Sequence, residues 1–209
     1  MIQFKHITKQ FSDNFVLQDF NLDIQKNEKI IITGRSGIGK STIFKLLLGF
    51  VKPDKGEIVF EGKALNEKTI WEFRKKIVYI SQDLTIGTGK VYQLFEDTLS
   101  LKTNAEWKTK SLKTVNELLS QFELNEAILN MKLEELSGGE KQRVAIINGL
   151  LLKRTIFLLD EVTSALDKSL KKKVSDFFYL HPDFTVLSIS HDNYNPENGT
   201  IRTLNLDSL

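Results

Sequence analysis

Residues Gly34-Arg35-Ser36-Gly37-Ile38-Gly39-Lys40-Ser41 follow the spacing G-x-x-x-x-G-K-[ST], a set of residue types suited to holding a triphosphate. The glycines free the backbone to turn its N–H groups onto phosphate at a helix N-terminus. Lys40 adds a mobile cation for the β- and γ-phosphates. The Ser41 hydroxyl suits Mg²⁺, a hard ion that takes oxygen ligands. A glycine-rich turn alone is common, and the flanks make this one specific. Lys29-Ile30-Ile31-Ile32-Thr33 is a β-branched run of the kind found in buried parallel strands, and Thr42 to Leu48 reads as a helix opening on the loop.

Two further constellations carry chemistry. Ile156-Phe157-Leu158-Leu159-Asp160-Glu161 is an apolar strand ending in two carboxylates. Asp160 can hold Mg²⁺ beside the phosphates, directly or through water, and Glu161 can polarise an attacking water. An apolar run before Asp-Glu is common by itself and becomes specific downstream of a phosphate loop. Leu136-Ser137-Gly138-Gly139-Glu140 offers a second helix entry whose backbone N–H groups can bind phosphate. The same residues form a helix-capping box, with Ser137 as cap and Glu140 three positions on. The two readings coexist. One ATP site does not need two such loops, so the second is explained if it serves nucleotide bound to another copy.

These groups require an α/β frame. Asn14 to Ile24 alternates loosely as a strand, with Phe15, Leu17, Phe20, Leu22 and Ile24 apolar. Pro53 to Gly56 is a turn before a strand at Glu57 to Phe60, and Glu61-Gly62 is a second turn. Lys76 to Ile80 is a buried strand ending at Ser81-Gln82. The middle then becomes helical, with Leu112, Val115, Leu119 and Phe122 on one face. After Leu136 the pattern is helix Glu140 to Leu152, strand Thr155 to Leu159, helix Lys168 to Leu180 and strand Thr185 to Ile189, with an edge strand within Thr200 to Leu206. Lys171-Lys172-Lys173 reads as a solvated helix face.

Composition narrows the class. The 209 residues suffice for one domain with a substantial core. A formal charge of +2, from 29 basic and 27 acidic residues, is too balanced to argue for nucleic-acid binding. The absence of cysteine excludes disulfides and thiolate zinc sites and is compatible with the cytosol. Met1 to His6 has no signal-peptide core. No stretch approaches the roughly 20 apolar residues needed to span a bilayer, so a membrane role requires a partner.

With these motifs in this order, the chain resembles the ATP-binding cassette family, the nucleotide-binding domains of ABC transporters. The resemblance implies an α/β fold: a P-loop NTPase core with a mixed parallel sheet, an N-terminal antiparallel β subdomain and an inserted α-helical subdomain. Residues 1–209 would form one ATPase domain, with the core in 1–82 and 153–209 and the helical subdomain in 83–152. Gln82 falls at the Q-loop, Leu136 to Glu140 at the signature, Ser164-Ala165-Leu166-Asp167 at the D-loop and His191 at the switch histidine. The resemblance implies that Glu161, His191 and Lys40 are catalytic, and that Ser41, Gln82 and Asp160 serve Mg²⁺. ATP would be held by Phe11, Gly34, Arg35, Ser36, Gly37, Ile38, Gly39, Lys40, Ser41 and Thr42, and in trans by Ser137, Gly138, Gly139, Glu140 and Asp167. The implied assembly is a homodimer closing two ATP molecules, joined to separate transmembrane permease subunits at the cytoplasmic face of the membrane.

Several positions depart from the family's pattern. Glu140 stands where Gln is usual, a change of charge that still leaves an acceptor for a ribose hydroxyl. Val162 stands where Pro is usual and can take the same extended backbone. The adenine-stacking aromatic is Phe11 or, second, Phe15, and either ring also fits a core. With 18 residues after His191, an accessory regulatory domain is not expected. Repair and chromosome-organising ATPases share these motifs but need a long heptad segment, and Ser137 follows Gln82 by only 55 positions without one. Translation-associated members carry two cassettes, and a non-catalytic binding module would not keep Lys40, Asp160 and Glu161. The wording at 136–143 and 160–167 is similar to small bacterial iron-efflux ATPases, and lipoprotein-release and macrolide-type exporters are also short. The segment Asp83 to Tyr92, with Leu84, Ile86, Val91 and Tyr92, is expected to be an exposed loop that docks the membrane partner.

Overall fold

The computed structural model describes residues 1–12, 14–83, 86–101, 111–190, 194 and 200–208. Two sheets enclose the first helix. The antiparallel sheet has the order β2-β1-β4-β5, from β1 (Ile2–Phe11), β2 (Asn14–Ile24), β4 (Lys55–Phe60) and β5 (Lys63–Ala64). The second sheet is parallel throughout, in the order β6-β7-β8-β3-β9, from β3 (Lys29–Thr33), β6 (Ile77–Ile80), β7 (Ile156–Asp160), β8 (Thr185–Ile189) and β9 (Arg202–Asn205). Apart from the edge strand β9, which is polar and largely exposed, its strands are short, mainly apolar runs because both faces are covered.

Alternation along these strands builds two cores. Ile30, Ile32, Ile77, Ile156, Leu158, Leu187 and Ile189 face α1 (Lys40–Leu47) and, beyond it, the apolar side of the antiparallel sheet. Val78, Ile80, Phe157, Leu159 and Val186 face α3 (Val91–Ser100), α4 (Ser111–Gln121), α5 (Gly138–Leu151) and α6 (Lys168–Tyr179). The second core is rich in rings: Phe157 meets Phe178 at 5.1 Å and Phe184 at 4.6 Å. Gly149 lets α5 sit close on β6, since a Cβ there would lie 2.7 Å from Val78 Cγ1. The short α2 (Ile70–Arg74) buries Phe73 against Phe60.

Most expected elements appear where the apolar runs place them; two expectations are corrected. In the segment Asp83 to Tyr92, two of the four apolar residues, Ile86 and Val91, turn inward. Gly89 and Val91 are tied by backbone hydrogen bonds to Leu133 and Met131, at 2.8 and 3.1 Å. Val91 is fully buried and Ile86 packs against the helical-side core. Tyr92 is 37% exposed, and Leu84 lies outside the described residues. Val162 lies in a turn, not in the extended backbone expected of it, and is buried in the helical-side core. Leu112's side chain also lies outside the description, while Val115, Leu119 and Phe122 form the expected buried face.

Candidate active site

The site lies at the C-terminal edge of the parallel sheet, where ligands bind in open α/β folds. The loop after β3 turns through Gly34, Gly37 and Gly39, all with positive φ, and Gly39 (φ 117°) starts α1 without a side-chain cap. Glycine is required at 39, because a Cβ would lie 2.4 Å from Val16 Cγ1. Lys40 is 7% exposed and donates from Nζ to the carbonyls of Gly34 (2.7 Å) and Arg35 (3.0 Å). The loop is pinned from the C-terminus, where the Asp207 carboxylate accepts from the Arg35 backbone N–H at 3.0 Å.

Asp160, 6% exposed, ends β7 beside this loop. Burial pushes its pKa up, against hydrogen bonds from the Ser41 and Tyr79 hydroxyls and the charge of Lys40, while Glu161 adds repulsion. Tyr79 is pushed up to about 12 by burial and then by the Asp160 charge. Glu161 adopts a left-handed backbone (φ 50°) and donates its N–H to the Ile189 carbonyl at 3.0 Å. Few residues other than glycine sit there, and such local strain gathers at functional sites. Gln82, just past β6, donates from Nε2 to Glu161 Oε2 at 3.0 Å. Lys40, Ser41, Asp160, Glu161 and Gln82 thus converge.

Ser137, Gly138, Gly139 and Glu140 form a separate cluster. Their hydrogen bonds run to one another: Ser137 Oγ accepts from the Glu140 N–H at 3.3 Å, and the Glu140 carboxylate accepts from Ser137 N–H (2.9 Å) and Oγ (2.6 Å). The capping box is real, and the glycines pack on Ala165. Asp167 caps α6 by accepting from the N–H groups of Ser169 and Leu170. Phe11 and Phe15 flank the tip of the β1–β2 hairpin, 44% and 58% exposed. Phe15 lines a cleft of about 690 Å³ with Val16, Arg35 and Ile38, whereas Phe11 carries Lys9 Nζ 5.3 Å from its ring centre. His191 lies outside the described residues. Gln142, Tyr79 and Asp207 escaped the sequence reading, because each acts through a contact with a residue distant in the chain.

The donor set suits Mg²⁺ held largely by phosphate and water. It offers one buried carboxylate, a neighbouring hydroxyl and an amide oxygen, all hard ligands. Among the described residues no cluster of three or more His, Cys, Asp or Glu could form a protein-only metal cage.

A chain with a phosphate loop, a strand-end carboxylate pair and a second helix entry on this sheet defines a nucleotide-hydrolysing cassette. Residues 17–164 match the model of the ABC transporter family, and the chain belongs to that family. It is 31% identical over 195 residues to the Probable iron export ATP-binding protein FetA of Escherichia coli K12, covering 92% of this chain and 85% of FetA. It is 30% identical over 212 residues to the Ergothioneine transport ATP-binding protein EgtV of Helicobacter pylori G27, covering 100% of this chain and 98% of EgtV. The dimeric structure of a post-hydrolysis state of the ATP-binding cassette MJ0796, bound to ADP and Pi, is similar with a TM-score of 0.77 at 27% identity, over 92% of this chain and 88% of that one. The protein is an ABC transporter ATP-binding subunit and an ATPase.

Glu140 is held below the ordinary carboxylate value of 4.5, first by the Ser137 hydroxyl and then by the Ser137 N–H. A depressed folded pKa stabilises above the unfolded value, and that contribution is lost as pH falls through the folded one. Glu140→Gln keeps a capping side chain but binds no proton. Wild type should therefore exceed it in stability by about 0.5 kcal/mol at neutral pH, after solvent screening. The gap should close as pH falls below the usual carboxylate range. Thermal melts of both proteins across this range check it, and a pH-independent gap would contradict the assignment.

Proposed function

We propose that two copies of this chain associate head to tail, each phosphate loop facing the other copy's Ser137–Glu140 loop, and that they drive metal-ion export through separate membrane subunits on the cytoplasmic face. The convergence of Lys40, Ser41, Asp160, Glu161 and Gln82, with the second helix entry held elsewhere, carries this reading. In it, residues 1–209 act as one ATPase domain with 83–152 as its helical part. Lys40 exchanges its loop carbonyls for the outer phosphates, and Ser41 with Asp160 holds Mg²⁺, which when bound neutralises phosphate charge. Gln82 fixes one oxygen of Glu161, aiming the carboxylate at water in line with the γ-phosphorus. Phosphoryl transfer of this kind needs positioning and charge stabilisation, not a covalent enzyme intermediate. His191 contacts the γ-phosphate, Asp167 the dimer interface and Phe11 the adenine, on family resemblance. Glu161→Gln should bind MgATP yet release phosphate about a hundredfold more slowly or worse, as loss of a general base does, and should run as a dimer on gel filtration with ATP. Turnover near wild type would remove Glu161 as base.

The membrane partner docks, we propose, in a groove of about 400 Å³ lined by Leu48, Phe50, Arg74, Tyr79, Ile86 and Asn148. Phe50 in its lining is 64% exposed, and the Arg74 guanidinium lies 5.2 Å from that ring and 4.8 Å from the ring of Trp71, itself 63% exposed. Among the described residues arginines line the groove and carboxylates do not, so an apolar partner segment bearing acidic residues fits it. Phe50→Glu with Trp71→Glu should abolish co-purification with the membrane subunit and leave basal ATPase activity within about twofold, because neither ring touches the nucleotide site. Retained co-purification would exclude this face.

Metal export rests on the likeness to FetA at 31% identity, and EgtV, at 30%, carries another substrate in its name. Cells lacking this chain should retain more iron after metal loading than their parent, measured by elemental analysis. Equal iron content would rule out iron export without touching the ATPase.

A further inference from the structure

Gln142 lies on the second turn of α5 and is 3% exposed. A buried amide needs partners for both ends, and both go to a single turn. The Gln142 Oε1 accepts from the Ala165 N–H at 3.2 Å, and Nε2 donates to Ser164 Oγ at 3.0 Å. The orientation is unambiguous, because the Ala165 N–H can only donate and must face oxygen. The signature glycines press on the same turn. A Cβ at Gly139 would lie 3.1 Å from the Ala165 carbonyl oxygen, and one at Gly138 would lie 3.6 Å from the Ala165 Cβ. That turn continues directly from the hydrolytic strand, with the Ser164 N–H donating to the Glu161 carbonyl at 3.1 Å. Three residues on, Asp167 anchors it to α6.

One protomer therefore contains a short, fully hydrogen-bonded path from Glu161 to the loop that begins at Ser137. Resting on the head-to-tail reading above, Glu161 serves the protomer's own ATP and the Ser137 loop serves its partner's. We infer that Gln142 is a positioning residue that couples the two ATP sites of the dimer, by locking the turn after Glu161 to the helix entry that grips the other nucleotide. A shift of Glu161 or of Ser164-Ala165 then moves Ser137 and the glycines as one body. Without the amide, the two loops still pack, but through the glycine contacts alone. Both side-chain hydrogen bonds of Gln142 go to Ser164 and Ala165 and neither to the phosphate loop, so ATP binding to a monomer should not depend on it.

The test uses the full chain with MgATP. Gln142→Met has similar volume and neither hydrogen bond; Ser164→Ala removes one. Three quantities are measured: fluorescent-ATP affinity of the dilute monomer, ATP-driven dimerisation in the Glu161→Gln background, and the Hill coefficient of ATP hydrolysis. In Gln142→Met we expect monomer affinity within about twofold of wild type, dimerisation weakened about tenfold, and a Hill coefficient falling toward one. Ser164→Ala should show the same pattern more weakly and add nothing to Gln142→Met, as a shared interaction requires. A folded Gln142→Met with wild-type dimerisation and cooperativity overturns the proposal, as does full additivity with Ser164→Ala. If Gln142→Met fails to fold, Ser164→Ala decides alone, and wild-type cooperativity in it overturns the proposal. A Glu161→Gln protein that never dimerises with ATP overturns the head-to-tail reading itself, which is a distinct result.

Discussion

The site depends on a carboxylate placed at the end of a strand buried on both faces. β7 is hydrogen-bonded by β6 on one side and β8 on the other, and all five of its residues are buried. A charge in such a place is costly unless partners compensate it. Asp160 has the Ser41 and Tyr79 hydroxyls and the nearby Lys40, while burial still pushes its pKa up. The compensation is partial, and a divalent cation would complete it. The neighbours follow from the same pairing. Tyr79 stands opposite Leu158 on β7, two residues before Asp160, so its side chain shares Asp160's face of the sheet and reaches it diagonally.

Much of this was legible in the sequence, for identifiable reasons. Lys29–Thr33, Ile156–Asp160 and Thr185–Ile189 are continuous apolar runs because each strand is covered twice, and such runs need no long-range knowledge to read. The glycine spacing of the phosphate loop, the Asp-Glu pair and the Ser-x-x-Glu box are local patterns for the same reason. β1 was harder. Its pairing with β2 slips at three places between Phe4 and Gln10, so the polar positions Lys5, Thr8 and Lys9 break the alternation that marks a strand. α2 spans only five residues, too few for a helical period to declare itself. The burial of Val91 was not readable locally, because the bridge between Lys90 and Lys132 that fixes this segment joins positions far apart in the chain.

The site residues divide along the same line. Those with chemical roles sit in motifs; those that orient them do not. Gln82 was readable as a strand-end residue, yet its bond to Glu161 spans 79 positions. Asp207 holds the phosphate loop from 172 positions away, and only the parallel pairing of β9 with β3 brings it there. The Ser137 region illustrates a different limit. Its capping box and its capacity to meet a nucleotide draw on the same helix entry, with the Ser137 hydroxyl and the Glu140 carboxylate in both, so local structure alone cannot separate the two roles. Glu140 accepts from both donors of Ser137, which means that the Ser137 hydroxyl is already oriented before any nucleotide approaches.

Pre-orientation is also the physical theme of the phosphate loop. Its shape does not wait for a ligand: Gly39 is wedged on Val16, the Arg35 N–H is bound by Asp207, and Lys40 spans the loop to Gly34 and Arg35. The Lys40 bonds go to neutral carbonyls, whereas phosphate oxygens would add the attraction of a full opposite charge. Exchanging those carbonyls for phosphate oxygens would therefore be favourable, and the loop would keep its form through the Gly39 and Asp207 contacts while Lys40 moves. Binding then costs little ordering of the backbone, which leaves interaction energy for the step that does require motion, the approach of a second protomer. That approach is where a rigid connection between the Glu161 turn and the Ser137 loop matters, since two surfaces that must meet a nucleotide together are aligned only if neither can relax independently.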